Sequence, residues 1–217
     1  KRIEAYLNSL SKREAKVLLA DFQMDQVTIR KTNIQKKPNT VHPLYIPNLG
    51  EYTEWIRQYL EKTGYNAYAL SEADDRALSL GRAHTSSKEY LPFAVLLGSI
   101  LKSQKKLETL KGESTLKDTK AQYLLPQTLG SEADGQYVSV TEAILNQEGL
   151  TNVQLVSPII EQLPETVSDF DLFVRAILTG DLLYLVPRKH REAVVPSSIL
   201  GWKELESFAK QIAKLPV

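Results

Sequence analysis

The chain is organised around GRAHTSSKEYLPFAVLLGSIL, residues 81 to 101. Ser86 and Glu89 have the spacing of a capping box, and Pro92 is tolerated only near a first helical turn, so a helix begins between residues 86 and 92. Apolar residues then recur with the period of a helix through Leu101. Because its flanks are also apolar, this helix should be among the most buried parts of the chain. The polar loop before it is either a ligand site or an ordinary helix entry.

Composition excludes several classes of function. The 217 residues carry 27 basic and 26 acidic side chains, for a net charge of +1, and no long basic run, so we expect no nucleic-acid partner. No apolar run approaches the roughly 18 residues of a membrane span, so we expect a cytoplasmic protein without a membrane partner. The absence of cysteine excludes disulfides and thiolate metal sites. The first residue is Lys1 rather than Met, which suggests a fragment of a longer protein.

The periodicity predicts an α/β protein with a parallel, Rossmann-like, three-layer sheet and additional C-terminal helices. The expected divisions are a helix and lead-in strand over 1–40, the α/β core over 41–158 and a helical segment over 159–217 that packs on the core. Within the last segment, helices are predicted over 170–185 and 202–212.

Four core segments have the composition of buried strands, namely 41–46, 65–70, 121–125 and 153–156. The helix between the first two has one apolar face from Tyr52 to Leu60. Gly64 and Gly149 stand where a helix needs a left-handed C-terminal residue before the next strand. A further helix is predicted over 74–80, a polar tail and loop over 102–119, and a helix after 134 with one face formed by Tyr137, Val140, Thr141 and Ile144.

Standard nucleotide, hydrolase and zinc-protease motifs do not occur, and His42, His84 and His190 lack metal-ligand spacing. Ligands of parallel sheets bind outside the carboxyl ends of the strands. Asp181, in an apolar helix, needs a partner, either Arg175 or the basic cluster at 188–191, and an anion site there is the alternative. The loops expected to line a pocket are 47–50, 71–74, 126–134 and 157–158, joined by 85–90.

Three segments, taken in order, resemble the 2-hydroxyacyl-CoA dehydratase subunit family. They are Gly81-Arg82 through Leu91-Pro92-Phe93 to Gly98, Leu125-Pro126 through Gly130 to Gly135-Gln136-Tyr137, and Gly180-Asp181-Leu182-Leu183. The similarity is greatest to the dehydratase-like region of large CoA-substrate-specific enzyme activase proteins. It extends over roughly residues 17 to 190.

The resemblance implies stacked Rossmann-like lobes, a 4Fe-4S cluster held by cysteines in active members, and ATP in an associated activase domain. Two of the family's cysteine positions are occupied here by Tyr90 and Glu132. A phenol and a carboxylate are hard oxygen donors that do not replace thiolates on such a cluster. We therefore expect no cluster, no metal and no cofactor in this chain. The loops of Tyr90 and Glu132 should meet, with the Tyr90 ring filling much of the vacated volume.

The resemblance implies a structural or docking module in 2-hydroxyacyl-CoA or CoA-ester metabolism, not catalytic by itself. Its partners would be a cluster-bearing homologous domain or an ATPase activase domain. The alternative is a polar cleft at the carboxyl edge of the sheet that binds an acyl-CoA or another small ligand, possibly with enzymatic activity. No catalytic residue is assigned. The candidate cleft residues are Ser86, Ser87, Lys88, Glu89, Tyr90, Gly130, Glu132, Gln136 and Tyr137.

Overall fold

A computed structural model of the chain describes residues 42–48, 50, 52–85, 89–111, 120–129, 134–185 and 197–214. The strands within these ranges are β1 Leu44–Ile46, β2 Ala67–Ala69, β3 Ala121–Leu124 and β4 Val153–Val156. They form one parallel sheet in the order β2-β1-β3-β4. The predicted parallel α/β fold is therefore confirmed, with three of the four strands shorter than predicted. The elements predicted over 1–40 lie outside the described residues.

The described helices include both predicted C-terminal ones. They are α1 Tyr52–Lys62, α2 Asp75–Ala83, α3 Leu91–Lys111, α4 Asp134–Gln147, α5 Leu163–Thr166, α6 Phe170–Leu185 and α7 Trp202–Ile212. Gly64 and Gly149, just after α1 and α4, have the predicted left-handed conformation, with φ of 93° and 72°. Across the ranges given above, no helix combines the length and apolar character needed to cross a membrane.

Both faces of the sheet are covered, so alternate residues along the strands enter two separate cores. Tyr123 and Leu155 lie in the core formed with α3 and α4. Leu44 and Ile46 lie in the core formed with α1 and α6, to which α6 contributes Ala176. Helix α6 thus packs on the sheet, and the fold has three layers.

The positions of the crossover helices agree with the strand order. Helix α1 leads from β1 to β2 on one face, whereas α4 leads from β3 to β4 on the other face. These two connections run in opposite directions across the sheet. Two such crossovers have the same hand only when their helices lie on opposite faces, as they do here, and parallel crossovers are almost always of one hand.

Helix α3 is longer than its apolar pattern predicts. Residues 102–111, which we assigned to a polar tail and loop, continue the helix. They are mostly Lys, Gln, Glu and Leu, which have high helix propensity. The next glycine after Gly98 is Gly112, just beyond the end of the helix. At the other end, Phe93 and Ala94 donate their backbone N–H groups to the carbonyl of Tyr90. The helix therefore begins at Leu91, and the predicted capping box at Ser86 is not its N-cap.

One position of the buried face predicted for α4 is wrong, whereas Thr141 and Ile144 are buried as predicted. Val138, Thr141 and Leu145 are buried, whereas Val140 is 37% exposed. Val140 lies two residues from Val138, about 200° around the helix, so both side chains cannot face the sheet. The correct face follows the spacing of 138, 141 and 145.

The closest helix contact joins α2 and α3 through two glycines. A Cβ atom on Gly81 would lie 1.7 Å from the backbone oxygen of Ala94, and one on Gly98 would lie 1.7 Å from the backbone oxygen of Ala77. Real Cβ atoms do not approach backbone this closely, so the two helices are in direct backbone contact. Only glycine permits such an approach.

Replacing Gly98 by Ala should lower the free energy of unfolding by about 1 to 3 kcal/mol, because the added methyl group forces the two backbones apart. In an unobstructed helix interior the same change stabilises by about 0.5 to 1 kcal/mol, so the two expectations differ in sign. Chemical denaturation monitored by circular dichroism measures the difference.

The matched control is Gly180→Ala, where the new Cβ would lie 3.0 Å from Tyr52 Cδ1, a side-chain atom that can shift. This variant should lose less stability than Gly98→Ala. A Gly98→Ala protein as stable as the wild type would show that the helix contact is looser than described.

Candidate functional site

A cavity of about 460 Å³ lies beside β2, at its carboxyl end. It is bounded by the sheet, by the loop after β2 at residues 70–73, and by the middle of α3. The polar and aromatic side chains among its described lining residues are Tyr45, Tyr68, Ser71, Glu72, Ser99, Lys102, Ser103 and Lys106.

Tyr45 and Tyr68 form the floor of the cavity. They belong to a row of three tyrosines that crosses the sheet. Tyr45 is in register with Tyr68 on one side and with Tyr123 on the other. Its ring centroid lies 5.9 Å from that of Tyr68 and 5.3 Å from that of Tyr123. Residues in register on adjacent strands point to the same face of a sheet. The row therefore runs from the buried Tyr123 to Tyr68, which is 49% exposed at the sheet edge.

The hydroxyl of Tyr123 connects the sheet to the polar half of α3. It donates to Ser103 Oγ at 2.9 Å and accepts from Gln104 Nε2 at 2.8 Å. Tyr123 is fully buried, and this burial raises its pKa to about 12. The pKa of Tyr45 is also raised, mainly by burial and to a lesser degree by the interaction with the neighbouring Tyr68. Tyr45 and Tyr123 are thus neutral at physiological pH, and hydrogen bonds position α3 above the sheet.

The charged groups of the cavity come from two elements. Lys102 Nζ lies 2.6 Å from Asp74 Oδ2, and the other oxygen of Asp74 accepts the backbone N–H of Ala77 at the start of α2. The hydrogen bond from Lys102, and then that from Ala77, lowers the pKa of Asp74. Lys106, one turn further along α3, and Glu72 form no ion pair with any described residue. Both are available to a ligand.

The predicted cleft residues that the structure describes lie elsewhere. Glu89 and Tyr90 precede α3, and Gln136 and Tyr137 are in the first turns of α4. Phe93 and Tyr137 stack with centroids 4.5 Å apart, so the starts of the two helices are adjacent. None of the predicted cleft residues is among the described lining of the cavity. The others, Ser86, Ser87, Lys88, Gly130 and Glu132, lie outside the described residues.

The expected partner Arg175 of Asp181 and the expected burial of the Tyr90 ring are both wrong. The Tyr90 ring is 65% exposed, so it fills no interior volume. Asp181 accepts a hydrogen bond from the Tyr52 hydroxyl at 2.5 Å, which raises the pKa of Tyr52, whereas Arg175 pairs with Asp171. Arg175 is one and a half turns from Asp181 but one turn from Asp171, and the shorter separation favours pairing. The basic cluster at 188–191 lies outside the described residues.

Of the loops expected to line a pocket, the one after β2 lines the cavity. The signals that we missed are the tyrosines of β1 and β2 and the two lysines of α3. Lys102 and Lys106 were assigned to a loop, although their spacing of four residues places them on one face of a helix. The position of the tyrosines side by side in the sheet could be recognised only by aligning the centres of the strands.

Comparison of the chain with protein-family models, curated proteins and solved structures yields no match. The family resemblance therefore stays a prediction. In the part of the chain that the structure describes, no group of three or more His, Asp or Glu side chains is arranged to hold a metal ion.

Replacing Tyr123 by Phe should lower the free energy of unfolding at pH 7 by about 1 to 3 kcal/mol, since the buried Gln104 and the half-buried Ser103 lose their hydrogen bonds to its hydroxyl. This difference should shrink above pH 10. The pKa of Tyr123 rises from 10.0 to about 12 on folding, so its contribution is complete below pH 10 and disappears as the pH rises through 12. The loss is at most about 3 kcal/mol, and Phe does not undergo it.

Urea denaturation at pH 7, 9, 10 and 11 measures both effects. Tyr184→Phe is the control, because that side chain is 70% exposed. A difference between wild type and Tyr123→Phe that stays constant with pH would contradict the assignment.

Proposed function

We propose that this domain binds a small organic anion in the cavity beside β2. The observation that carries the proposal is the joint presence of an aromatic floor and an available lysine, Lys106, in one cavity of about 460 Å³. Binding sites for small organic molecules usually have volumes of about 300 to 1,000 Å³ and combine apolar walls with a few polar groups.

Electrostatics supports an anionic ligand. Lys102 and Lys106 both line the cavity, and only Lys102 has a carboxylate partner among the described residues. Ser71, Ser99 and Ser103 add hydroxyl groups that can donate to oxygen atoms of a ligand. Glu72 opposes the lysines, so the net attraction for anions is moderate and favours a ligand with a polar or amino group as well.

The resemblance to 2-hydroxyacyl-CoA dehydratase subunits makes an acyl-CoA the first candidate ligand. CoA esters carry phosphate groups and a planar base, which suit lysines and tyrosines respectively. On this proposal the chain is a cluster-less relative that has retained a binding role in CoA-ester metabolism.

Isothermal titration calorimetry with acetyl-CoA tests the proposal. The wild type should bind, and Lys106→Gln should weaken binding by about tenfold or more, because a hydrogen bond to a charged group contributes about 1.5 to 3 kcal/mol. Lys105→Gln is the matched control, since Lys105 is exposed on the same helix but does not line the cavity. Failure of the wild type to bind, or an equal loss in Lys105→Gln, would overturn the proposal.

A docking role is a second proposal, favoured by two exposed apolar side chains. Tyr90 and Leu91 are 65% and 54% exposed at the start of α3. By resemblance, Tyr90 stands where the family has a cluster cysteine, so a partner that covers this position would be a cluster-bearing homologous domain. Apolar side chains at such a position contribute to association when a partner covers them.

Sedimentation velocity with a cluster-bearing 2-hydroxyacyl-CoA dehydratase subunit measures this association. Tyr90→Ser with Leu91→Ser should weaken it by at least about tenfold, since truncation of a hot-spot side chain near the centre of an interface costs about 2 kcal/mol or more. The control pair is Phe170→Ser with Tyr184→Ser, whose rings are also exposed but belong to α6. Equal effects of the two pairs would exclude docking through the start of α3.

A further inference from the structure

The cavity has available charges of both signs on its walls. Glu72 comes from the loop after β2 and Lys106 from α3, and neither forms an ion pair with a described residue. Between these walls lies the floor of Tyr45 and Tyr68, with the Tyr68 ring half-exposed. A ligand that satisfies all three features needs an anionic group, a planar ring and a hydrogen-bond donor.

We infer that the cavity takes a purine nucleotide whose base carries an exocyclic amino group, as adenine does. The base stacks on Tyr68, the phosphate binds Lys106, and the amino group donates to the carboxylate of Glu72. This inference rests on the proposed function and narrows its ligand to one chemical class.

Glu72, on the exposed loop after β2, distinguishes a base from an aliphatic group as the occupant of the cavity. A carboxylate that is covered by an aliphatic chain loses its water without gaining a hydrogen bond, which is unfavourable. An exocyclic amino group compensates for the lost water, because it donates a hydrogen bond to the carboxylate. The tyrosine floor favours the same ligand, because every nucleic-acid base has a flat face that stacks on an aromatic ring.

The dimensions and the lysines agree with a nucleotide. A free phosphate or a free amino acid would fill only a small part of the 460 Å³ and leave the rest as water. Small-molecule sites of this size usually enclose most of a larger ligand, and a nucleotide has that size. Lys102 is held by Asp74 at 2.6 Å, so Lys106 is the first contact of the phosphate. Lys102 can share its remaining donors, because an ammonium group has three.

Titration calorimetry with AMP and IMP tests the role of the amino group, since IMP has an oxygen in its place. The wild type should bind AMP about tenfold or more tightly than IMP, because the oxygen of IMP faces the Glu72 carboxylate without a proton. Glu72→Gln should reduce this preference, since an amide can donate to that oxygen. The ratio of the two affinities is the readout, so a general change in charge does not affect the outcome.

Stacking is tested at Tyr68, where the exposed ring can be changed without loss of the core. Tyr68→Ala should weaken AMP binding by about tenfold or more, and Tyr68→Phe should preserve it. Tyr184→Ala is the control, since that exposed ring lies on α6. Circular dichroism of each variant establishes that it is folded. If Tyr68→Ala does not fold, the binding of AMP by Tyr68→Phe remains the test.

The outcomes separate this inference from the proposed function. Binding of acetyl-CoA without binding of AMP, or equal affinities for AMP and IMP, would overturn the nucleotide assignment and leave anion binding in place. Absence of binding by acetyl-CoA, AMP and IMP alike would overturn both.

Discussion

The backbone contact between α2 and α3 is the constraint on which the rest of this structure depends. Gly81 and Gly98 allow each helix to lie directly against the backbone of the other at Ala94 and Ala77. The contact places the N-terminus of α2 beside the middle of α3. Asp74, the N-cap of α2, therefore meets Lys102, one turn beyond Gly98, and Lys102 lines one side of the cavity.

The second half of α3 is positioned by hydrogen bonds rather than by apolar packing. Its apolar first half lies in the core, but after Leu101 the helix is held to the sheet by Ser103 and Gln104, which both bond to the hydroxyl of Tyr123. A buried hydroxyl without a partner would be unfavourable, so this arrangement restricts the rotation of the helix. As a result Lys102 and Lys106 line the cavity above the tyrosine row.

Two described loops at the carboxyl edge of the sheet satisfy backbone donors from within the chain. In a doubly wound sheet the ligand crevice is expected where the strand order reverses, here between β1 and β3. After β1, Asn48 Oδ1 accepts the N–H of Gly50 at 2.8 Å, and after β3, the Glu161 carboxylate accepts the N–H of Leu129 at 3.1 Å. These backbone donors are occupied from within the chain. The described cavity lies one strand away, at the edge strand β2.

The amino-acid sequence by itself determined the parallel sheet, the two glycine helix ends and the C-terminal helices, because periodicity and glycine placement are local properties. It also predicted the burial of α3 up to Leu101, which the structure shows from Phe93 onward. Only the tertiary structure decided the length of α3, the partner of Asp181 and the cavity. Lys102 and Lys106 look like a solvated run until the helix continues, and Tyr45, Tyr68 and Tyr123 form a row only once strand register is set. Such contacts join residues far apart in sequence, where no local pattern specifies which side chains meet.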